Sequence, residues 1–377
     1  MVSRPNELVC SGRPADSGAA NQFDPDTSSA RSVCLTARSD WGTHGSGVLG
    51  HSCGHQNGRV RAPDFDPRLI QALIRRAFPD DVPVTWRRTP DGVSARMYRL
   101  DRGNDTFFLR VAEEVGENLA VDASLLERLR NDGVAVPKVV HLDRLPQPID
   151  LAVLIMTAIA GQPVASCTEE DQARRAVHKA GRDLARLNTN AVHGFGFISR
   201  AAVRWPLAGS FSTYQEFVTS YLPYPWPGAI GELFLAPEIT ALEARIAEQL
   251  ARPLEVGTLV HGDFDTTPIF QSEGRYTGMI DFGEVRGADP LFDLGHFLLH
   301  DRELLPWSLF DELLDGYREV NTVPSNFYEA VRTSAILLGL RQLGRWIAPE
   351  RGWSTEHRLV RRRIRRIREL LGEQRGA

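Results

Sequence analysis

Apolar residues recur with two different periods along this chain, and the change between them divides it into two parts. Residues 69–74 and 121–129 carry apolar positions at helical spacing. Short strand-like runs separated by turn residues occupy 82–87, 95–100, 106–111, 139–142 and 151–156. This pattern predicts an antiparallel sheet with two helices, which we define as an N-lobe of residues 63–157.

Helical periodicity dominates the part of the chain that follows. Helices are predicted at 173–187, 237–250, 291–300, 309–317, 327–346 and 357–371. A short apolar strand at 256–260 leads into His261. Residues 158–377 are therefore predicted to form a mainly helical C-lobe, and the predicted fold class is α+β with two lobes.

The first 62 residues show neither period. The segment from Met1 to about Gly58 is rich in Ser, Gly, Asp and Asn. A segment of this composition does not bury enough apolar surface to offset its ordering entropy. We therefore expect residues 1–62 to form a disordered N-terminal extension.

Composition and charge narrow the class of protein. The chain has 377 residues, 42% of them hydrophobic and 24% charged, and a formal net charge of -4, which does not indicate nucleic-acid binding. Its longest apolar run, residues 151–160, is shorter than the roughly 20 residues that span a bilayer. Neither a secretory signal nor a disulfide framework is recognisable. We expect a cytoplasmic protein without a nucleic-acid or membrane partner, whereas the oligomeric state has no signature in the sequence.

Two acidic residues, each at the end of an apolar run, carry the strongest chemical signal. Asp263 follows the strand at 256–260, and Asp281 ends the second arm of a predicted hairpin at 269–280. A hairpin brings its two ends together, so both carboxylates should face one cleft. Such a pair suits phosphoryl transfer, because one carboxylate can deprotonate a hydroxyl while the other holds Mg²⁺ against nucleotide phosphates. A purely structural role, as strand-end caps in a buried polar network, is the alternative.

Three segments resemble the aminoglycoside phosphotransferase and choline kinase-like family: His261-Gly262-Asp263, Ile280-Asp281-Phe282-Gly283 and Asp289-Pro290-Leu291-Phe292-Asp293-Leu294. The resemblance extends over about residues 83–346. It implies a protein-kinase-like fold with ATP or GTP and Mg²⁺ bound between the lobes. It also implies that Asp263 is the catalytic base, that Asp281 is a metal ligand and that Asp293 braces the catalytic loop. We expect His261 to brace the same loop, and a role as an acid or base is the alternative.

The same resemblance assigns nucleotide contacts to the N-lobe. Gly92 and Ser94 lie in a turn similar to the one that covers the phosphates, where backbone N–H groups approach phosphate oxygens. Arg110 stands where the family has a phosphate-binding lysine, and its guanidinium can contact phosphate bidentately. An ordinary surface arginine is the alternative. Met156 and Ala158 belong to the segment whose backbone would bind the adenine.

The acidic partner of Arg110 is expected on the helix that follows. At about 100° per residue from Val121, the apolar stripe of residues 121–129 centres near about 70°. Asp122 falls at about 100°, inside this stripe, whereas Glu127 falls at about 240° and faces outward. We therefore predict an ion pair between Arg110 and Asp122.

One position departs from the family pattern. Pro268 stands five positions after Asp263, where the family has a metal-binding Asn. Proline has no side-chain oxygen for a cation, so Asp265, Thr266 or Thr267 could supply a ligand, or a single metal could bind. We take Asp265 as the candidate second metal ligand.

These patterns together predict a phosphotransferase that moves phosphate from ATP or GTP to a hydroxyl of a small molecule. Glu284, Asp301 and Glu303 are candidate contacts for a cationic substrate such as an aminoglycoside. An amino alcohol, a sugar or a homoserine-type compound is the alternative acceptor. The alternative function is a nucleotide-binding pseudokinase or sensor whose transfer activity is impaired by Pro268.

Overall fold

The computed structural model describes residues 65–89, 96–323, 326–349 and 351–372 of the chain. The expected disorder of residues 1–62 and the predicted phosphate-covering residues Gly92 and Ser94 lie outside these ranges. No helix in the described ranges is long and apolar enough to cross a membrane.

The N-lobe is an antiparallel sheet with two helices. The helices are Pro67–Ala77 (α1) and Leu119–Asn131 (α2), and the strands are Val84–Arg88 (β1), Arg96–Arg102 (β2), Asp105–Val111 (β3), Val139–Arg144 (β4) and Ala152–Thr157 (β5). The strands lie in the order β1-β2-β3-β5-β4, and every neighbouring pair is antiparallel. Alternate residues Phe107, Leu109 and Val111 of β3 are buried, as the two-residue period of a strand requires.

Helix α2 packs on two hydrophobic cores at once. Leu119 and Ala123 belong to the core under the N-lobe sheet, whereas Leu125 and Leu129 belong to the core of the C-lobe. The apolar stripe predicted at 121–129 therefore faces the C-lobe, and α2 lies between the two lobes.

The C-lobe combines long helices with short strands. Within the described ranges its helices are Glu170–Leu187 (α3), Tyr214–Thr219 (α4), Ala236–Leu250 (α5), Phe292–His300 (α6), Phe310–Arg318 (α7), Phe327–Ile347 (α8) and Arg358–Gly372 (α9). Its strands are Gln162–Pro163 (β6), Ala191–His193 (β7), Phe195–Ile198 (β8), Leu207–Phe211 (β9), Gly257–Val260 (β10), Ile269–Ser272 (β11), Arg275–Met279 (β12) and Arg286–Ala288 (β13).

These short strands form two small sheets, and the loops that contain Asp263 and Asp281 follow strands of these sheets. β11 and β12 are the predicted hairpin, and β6 extends it to three strands. The strands β10, β13, β8, β9 and β7 close into a small barrel. Apart from β10 this barrel was not predicted, because strands of three to five residues are too short to reveal a period. The loop after β10 and the loop after β12 emerge side by side.

Candidate active site

A carboxylate from helix α6 holds the loop that follows β10. Asp293 accepts hydrogen bonds from the backbone N–H groups of His261 at 2.7 Å and Gly262 at 2.8 Å. Gly262 has a φ of +89°, and a Cβ atom there would collide with the carbonyl oxygen of Glu284. These contacts fix the backbone directly before Asp263, and the supporting role of Asp293 stays a prediction.

His261 joins this loop to the second acidic loop. Its Nε2 lies 2.9 Å from the carbonyl oxygen of Ile280, directly before Asp281. Asp281 has φ 68° and ψ 62°, a left-handed conformation that is uncommon for residues other than glycine. Burial raises the pKa of Asp281, and the negative charge of Asp263 raises it further. The carboxylate of Asp281 therefore lies within range of the charge of Asp263.

Asp265 is turned towards its own loop. Its Oδ1 accepts hydrogen bonds from the Thr267 backbone N–H at 2.7 Å and from the Thr267 hydroxyl at 2.6 Å. Burial and the charge of Asp263 raise the pKa of Asp265. Pro268 accepts a hydrogen bond from the Ile280 N–H at 3.0 Å, so the backbone here belongs to the hairpin. Metal binding by Asp265 stays a prediction, and its bonds to Thr267 leave Oδ2 as the available ligand atom.

The chemistry of these side chains suits a cation that brings some of its own ligands. The charge of Asp263 raises the pKa values of both Asp265 and Asp281, and a positive ion near the three carboxylates would stabilise their ionised forms. Among the described residues, no group of three or more His, Cys, Asp or Glu side chains is arranged to hold a metal ion by itself. A Mg²⁺ ion at Asp281 would therefore take further oxygen ligands from nucleotide phosphates and water.

A histidine that the sequence analysis did not single out contacts the predicted base. His296 of α6 places Nε2 at 3.2 Å from Asp263 Oδ1, and its Nδ1 lies 3.1 Å from the carbonyl oxygen of Phe264. Burial raises the pKa of Asp263, but the hydrogen bond and positive charge of His296 outweigh this effect, and the pKa is lowered overall. Asp263 is therefore ionised at neutral pH. His296 lies three residues after Asp293, on the same helix face, which is the signal that could have identified it.

On the N-lobe side, Arg110 lies between two carboxylates. Its Nη1 is 3.4 Å from Asp122 Oδ1, which is the predicted pair, and its Nη2 is 3.2 Å from Glu117 Oε1. Asp122 is buried and Glu127 is exposed, in agreement with the helical-phase argument. Glu117 was not predicted because it precedes α2, where no helical phase applies. The role of Arg110 in phosphate binding stays a prediction.

Asp122 has a second and closer partner from the C-lobe. Arg200, two residues beyond β8, places Nε at 3.1 Å from Asp122 Oδ2 and Nη2 at 3.1 Å from Asp122 Oδ1. The same Nη2 also lies 3.3 Å from the carbonyl oxygen of Gly283. One side chain thus contacts both helix α2 and the loop that carries Asp281.

The predicted adenine-binding segment lies at the end of β5. Met156 pairs with Phe108 of β3. The Ala158 N–H donates a hydrogen bond to the carbonyl oxygen of Thr106 at 3.0 Å. The Ala158 N–H is thus already engaged within the lobe, which narrows its predicted nucleotide contact to the carbonyl group.

The three acids predicted to face substrate have different surroundings. Glu284 Oε2 lies 2.8 Å from Arg286 Nη2, and burial raises the pKa of Glu284 to about 8 against the opposing positive charge of Arg286. Asp301 accepts hydrogen bonds from the Ser308 hydroxyl at 2.6 Å and the Leu309 N–H at 2.9 Å. Glu303 lies 3.1 Å from Arg363 of α9. Only Glu284 adjoins the Asp263–Asp281 cluster, whose charges also raise its pKa.

The chain shares this architecture with known kinases. The model of the phosphotransferase enzyme family matches residues 85–325. The hygromycin-B 4-O-kinase of Escherichia coli is 20% identical over 289 residues, which are 75% of this chain and 80% of that kinase. A thermostable mutant of aminoglycoside phosphotransferase APH(4)-Ia, solved in a ternary complex with ADP and hygromycin B, matches with a TM-score of 0.59 and 17% identity over 81% of this chain and 99% of that chain. An amicoumacin kinase in complex with AMP-PNP, Ca²⁺ and Ami matches with a TM-score of 0.52 and 13% identity over 81% of this chain and 93% of that chain.

These similarities decide the fold and the family. The two solved kinases confirm the predicted two-lobed, protein-kinase-like α+β fold. The matched residues 85–325 are well over half of the 377 residues, and the predicted resemblance and the predicted phosphotransferase class are confirmed with them. The chain belongs to the phosphotransferase enzyme family.

Proposed function

We propose that this phosphotransferase moves the γ-phosphoryl group of ATP or GTP to a hydroxyl group of a small molecule. The observation that carries the proposal is the cluster in which Asp263 is paired with His296 at 3.2 Å and is near enough to Asp281 for its charge to raise the pKa of Asp281. The positive charge of Arg110 acts on the same cluster, since it counters part of the rise in the pKa of Asp281. This effect supports a role for Arg110 in chemistry between the lobes.

Asp263 would accept the proton of the acceptor hydroxyl. Its lowered pKa keeps the carboxylate ionised at neutral pH, and a carboxylate can accept a hydrogen bond from the hydroxyl before transfer. As the hydroxyl oxygen bonds to the γ-phosphorus, the bond from that phosphorus to the nucleoside diphosphate breaks, and the proton passes to Asp263.

Asp281 would hold the divalent cation, with Asp265 as the candidate second ligand. When bound, such a cation neutralises charge that develops on the transferred phosphoryl group. Arg110 would contact the phosphates directly: its terminal nitrogens face Asp122 and Glu117, and its buried Nε has no hydrogen-bond partner among the described residues.

The acceptor is expected to be a small molecule rich in hydroxyl groups. The names of the similar proteins refer to hygromycin B and amicoumacin, so aminoglycosides and related antibiotics are the first candidates. Amino alcohols, sugars and homoserine-type compounds are the other candidates. Among the predicted substrate contacts Glu284 supports this proposal best, because it adjoins the cluster, whereas Asp301 and Glu303 are engaged within the C-lobe. We further propose that the enzyme acts in the cytoplasm, where ATP is available, and requires neither nucleic acid nor a membrane.

A panel of acceptors tests the proposal. Release of ADP or GDP is measured with each acceptor in the presence of Mg²⁺, and the phosphorylated product is identified by mass spectrometry. Asp263→Asn should lose transfer while it still binds nucleotide, whereas Asp315→Asn, an exposed acid on α7, should behave as wild type. Nucleotide binding without transfer to any acceptor would overturn the proposal and favour a nucleotide sensor.

A further inference from the structure

Arg200 forms direct hydrogen bonds to two parts of the site, the predicted nucleotide-binding part and the predicted metal-binding part. Its guanidinium donates hydrogen bonds to both carboxylate oxygens of Asp122 at 3.1 Å and to the carbonyl oxygen of Gly283 at 3.3 Å. Asp122 lies on α2, next to Arg110, and Gly283 follows Asp281 by two residues. The side chain therefore spans the boundary between the lobes.

The geometry of the contact with Asp122 is that of a strong pair. Two nitrogens of Arg200 face the two oxygens of one carboxylate, an arrangement that fixes orientation as well as distance. The Arg200 side chain is 21% exposed and the Asp122 side chain 6% exposed, so solvent screens the pair only partly. By comparison, Arg110 has a single contact with Asp122, at 3.4 Å. Asp122 is held by the C-lobe more firmly than by its neighbour in the N-lobe.

The charges around Arg200 come from both lobes and favour the positively charged form of its guanidinium. Burial lowers the pKa of Arg200, but Asp122 outweighs this, and Glu117 and Glu284 add to the effect, so the pKa is raised overall. Glu117 precedes α2 and Glu284 follows Gly283. Arg200 thus lies among carboxylates of the two segments that it joins.

Helix α2 has the position that makes such a link consequential. It packs on the core of the N-lobe with Leu119 and Ala123 and on the core of the C-lobe with Leu125 and Leu129. Apolar contacts alone allow a helix to slide or rotate by small amounts, whereas a bidentate ion pair has one preferred geometry.

We propose that Arg200 is a positioning residue that sets the separation between Arg110 on the N-lobe and the Asp281 loop on the C-lobe. This inference rests on the proposed function, because the two sides must hold the phosphates and the metal of one nucleotide. A displacement of about 1 Å at a reacting centre can reduce a rate by about a hundredfold. The link therefore contributes to turnover without contact between Arg200 and the reactants.

The test combines kinetics with a measurement that needs no acceptor. Arg200→Gln should lower kcat by about tenfold or more and raise KM for ATP and the Mg²⁺ concentration for half-maximal rate, while KM for the acceptor changes little. It should also weaken Mg²⁺-dependent binding of ADP, measured by calorimetry. Arg200→Lys keeps the positive charge but not the planar pair of nitrogens. It should therefore recover only part of the lost kcat and only part of the lost ADP affinity. Arg204→Gln, an exposed arginine in the same connection, is the matched control and should match wild type.

A double-variant cycle separates this role from general stabilisation. If Arg200 acts through Asp122, the variant with Arg200→Gln and Asp122→Asn should be no slower than the slower single variant. Multiplicative losses would overturn the proposal, as would an Arg200→Gln protein that melts at a lower temperature but keeps the wild-type ADP affinity and Mg²⁺ requirement. If wild type transfers phosphate to no acceptor, the proposed function fails, and the Mg²⁺-dependent ADP affinities still decide the role of Arg200.

Discussion

His296 Nε2 lies 3.2 Å from Asp263 Oδ1, while its Nδ1 lies 3.1 Å from the carbonyl oxygen of Phe264. A carbonyl oxygen and an ionised carboxylate both accept hydrogen bonds, and only an imidazolium donates from both ring nitrogens. Burial lowers the pKa of His296, but the hydrogen bond with Asp263 and the charge of that carboxylate outweigh it, so the pKa is raised overall. The proposed base, which is half-buried, is thus held beside the positive charge of a buried histidine.

Replacement of this histidine should change the pH dependence of turnover. In His296→Gln the largest opposing effect is lost, and the charges of His261 and Arg286 alone then oppose burial, so that the pKa of Asp263 rises. The ionised base is present only above its pKa, so the acid limb of the kcat profile should move upward by about one pH unit or more. The profile is compared with that of His178→Gln, whose histidine pairs with Glu319 away from the cleft at 2.7 Å. If kcat falls in His296→Gln but the acid limb of its pH profile stays in place, His296 contributes only to packing and does not set the pKa of Asp263.

The two carboxylates beside Arg110 predict how strongly different variants of this cluster should lose nucleotide affinity. Arg110→Ala should weaken binding of a non-hydrolysable ATP analogue with Mg²⁺ by about tenfold or more, the loss expected for a charge-assisted contact. Asp122→Ala and Glu117→Ala should each have a smaller effect, because the other acid still orients the guanidinium. Together they should approach the loss in Arg110→Ala. Equal affinities in Arg110→Ala and wild type, measured by calorimetry, would remove Arg110 from the nucleotide site.

The parts of the site that follow from local sequence could be predicted. Asp263 and Asp281 each end an apolar run on either side of a hairpin, so their convergence follows from strand geometry alone. Asp122 could be distinguished from Glu127 because a helix repeats every 3.6 residues, and the structure indeed buries the first and exposes the second. Gly92, which is predicted to cover the nucleotide, lies outside the described ranges.

Contacts between distant segments could not be predicted in the same way. Arg200 is 78 residues from Asp122 and 83 from Gly283, and no period connects these positions. The barrel strand β8 that carries Arg200 to the cleft has four residues, too few to be recognised. The location of Arg200 follows from how the barrel closes, which is a property of the tertiary fold.

Glu284 should make the protein less stable as pH rises. Burial raises its pKa from 4.5 to about 8 in the folded protein, so between these values the folded state binds a proton that the unfolded state has released. Stability falls with pH wherever the folded state binds more protons. The free energy of unfolding of wild type should therefore fall more steeply between pH 5 and pH 8 than that of Glu284→Gln, measured by urea denaturation. Parallel curves for the two proteins would show that Glu284 is already ionised at pH 5.

Pro268 lies where the family pattern has a metal-binding Asn, and its backbone is used by the hairpin. Its carbonyl oxygen accepts a hydrogen bond from the Ile280 N–H at 3.0 Å, directly before Asp281. Its ring fixes φ and offers no oxygen to a cation. The loop can thus keep its path while the predicted metal site lacks one ligand, and Asp281 and the second oxygen of Asp265 are then the predicted protein ligands.

The wild-type enzyme should therefore need an unusually high Mg²⁺ or Mn²⁺ concentration, and Pro268→Asn should lower this requirement and raise kcat. The expected gain comes from the amide oxygen, because metal ions and fixed donors supply most of the stabilisation in phosphoryl transfer. Pro268→Ala removes the ring without adding a ligand, so it serves as the control and should not lower the metal requirement. Rates are measured over a Mg²⁺ titration at saturating nucleotide. If Pro268→Asn changes little while Asp265→Ala abolishes metal-dependent turnover, Asp265 already replaces the missing ligand, and the proline serves only to shape the loop.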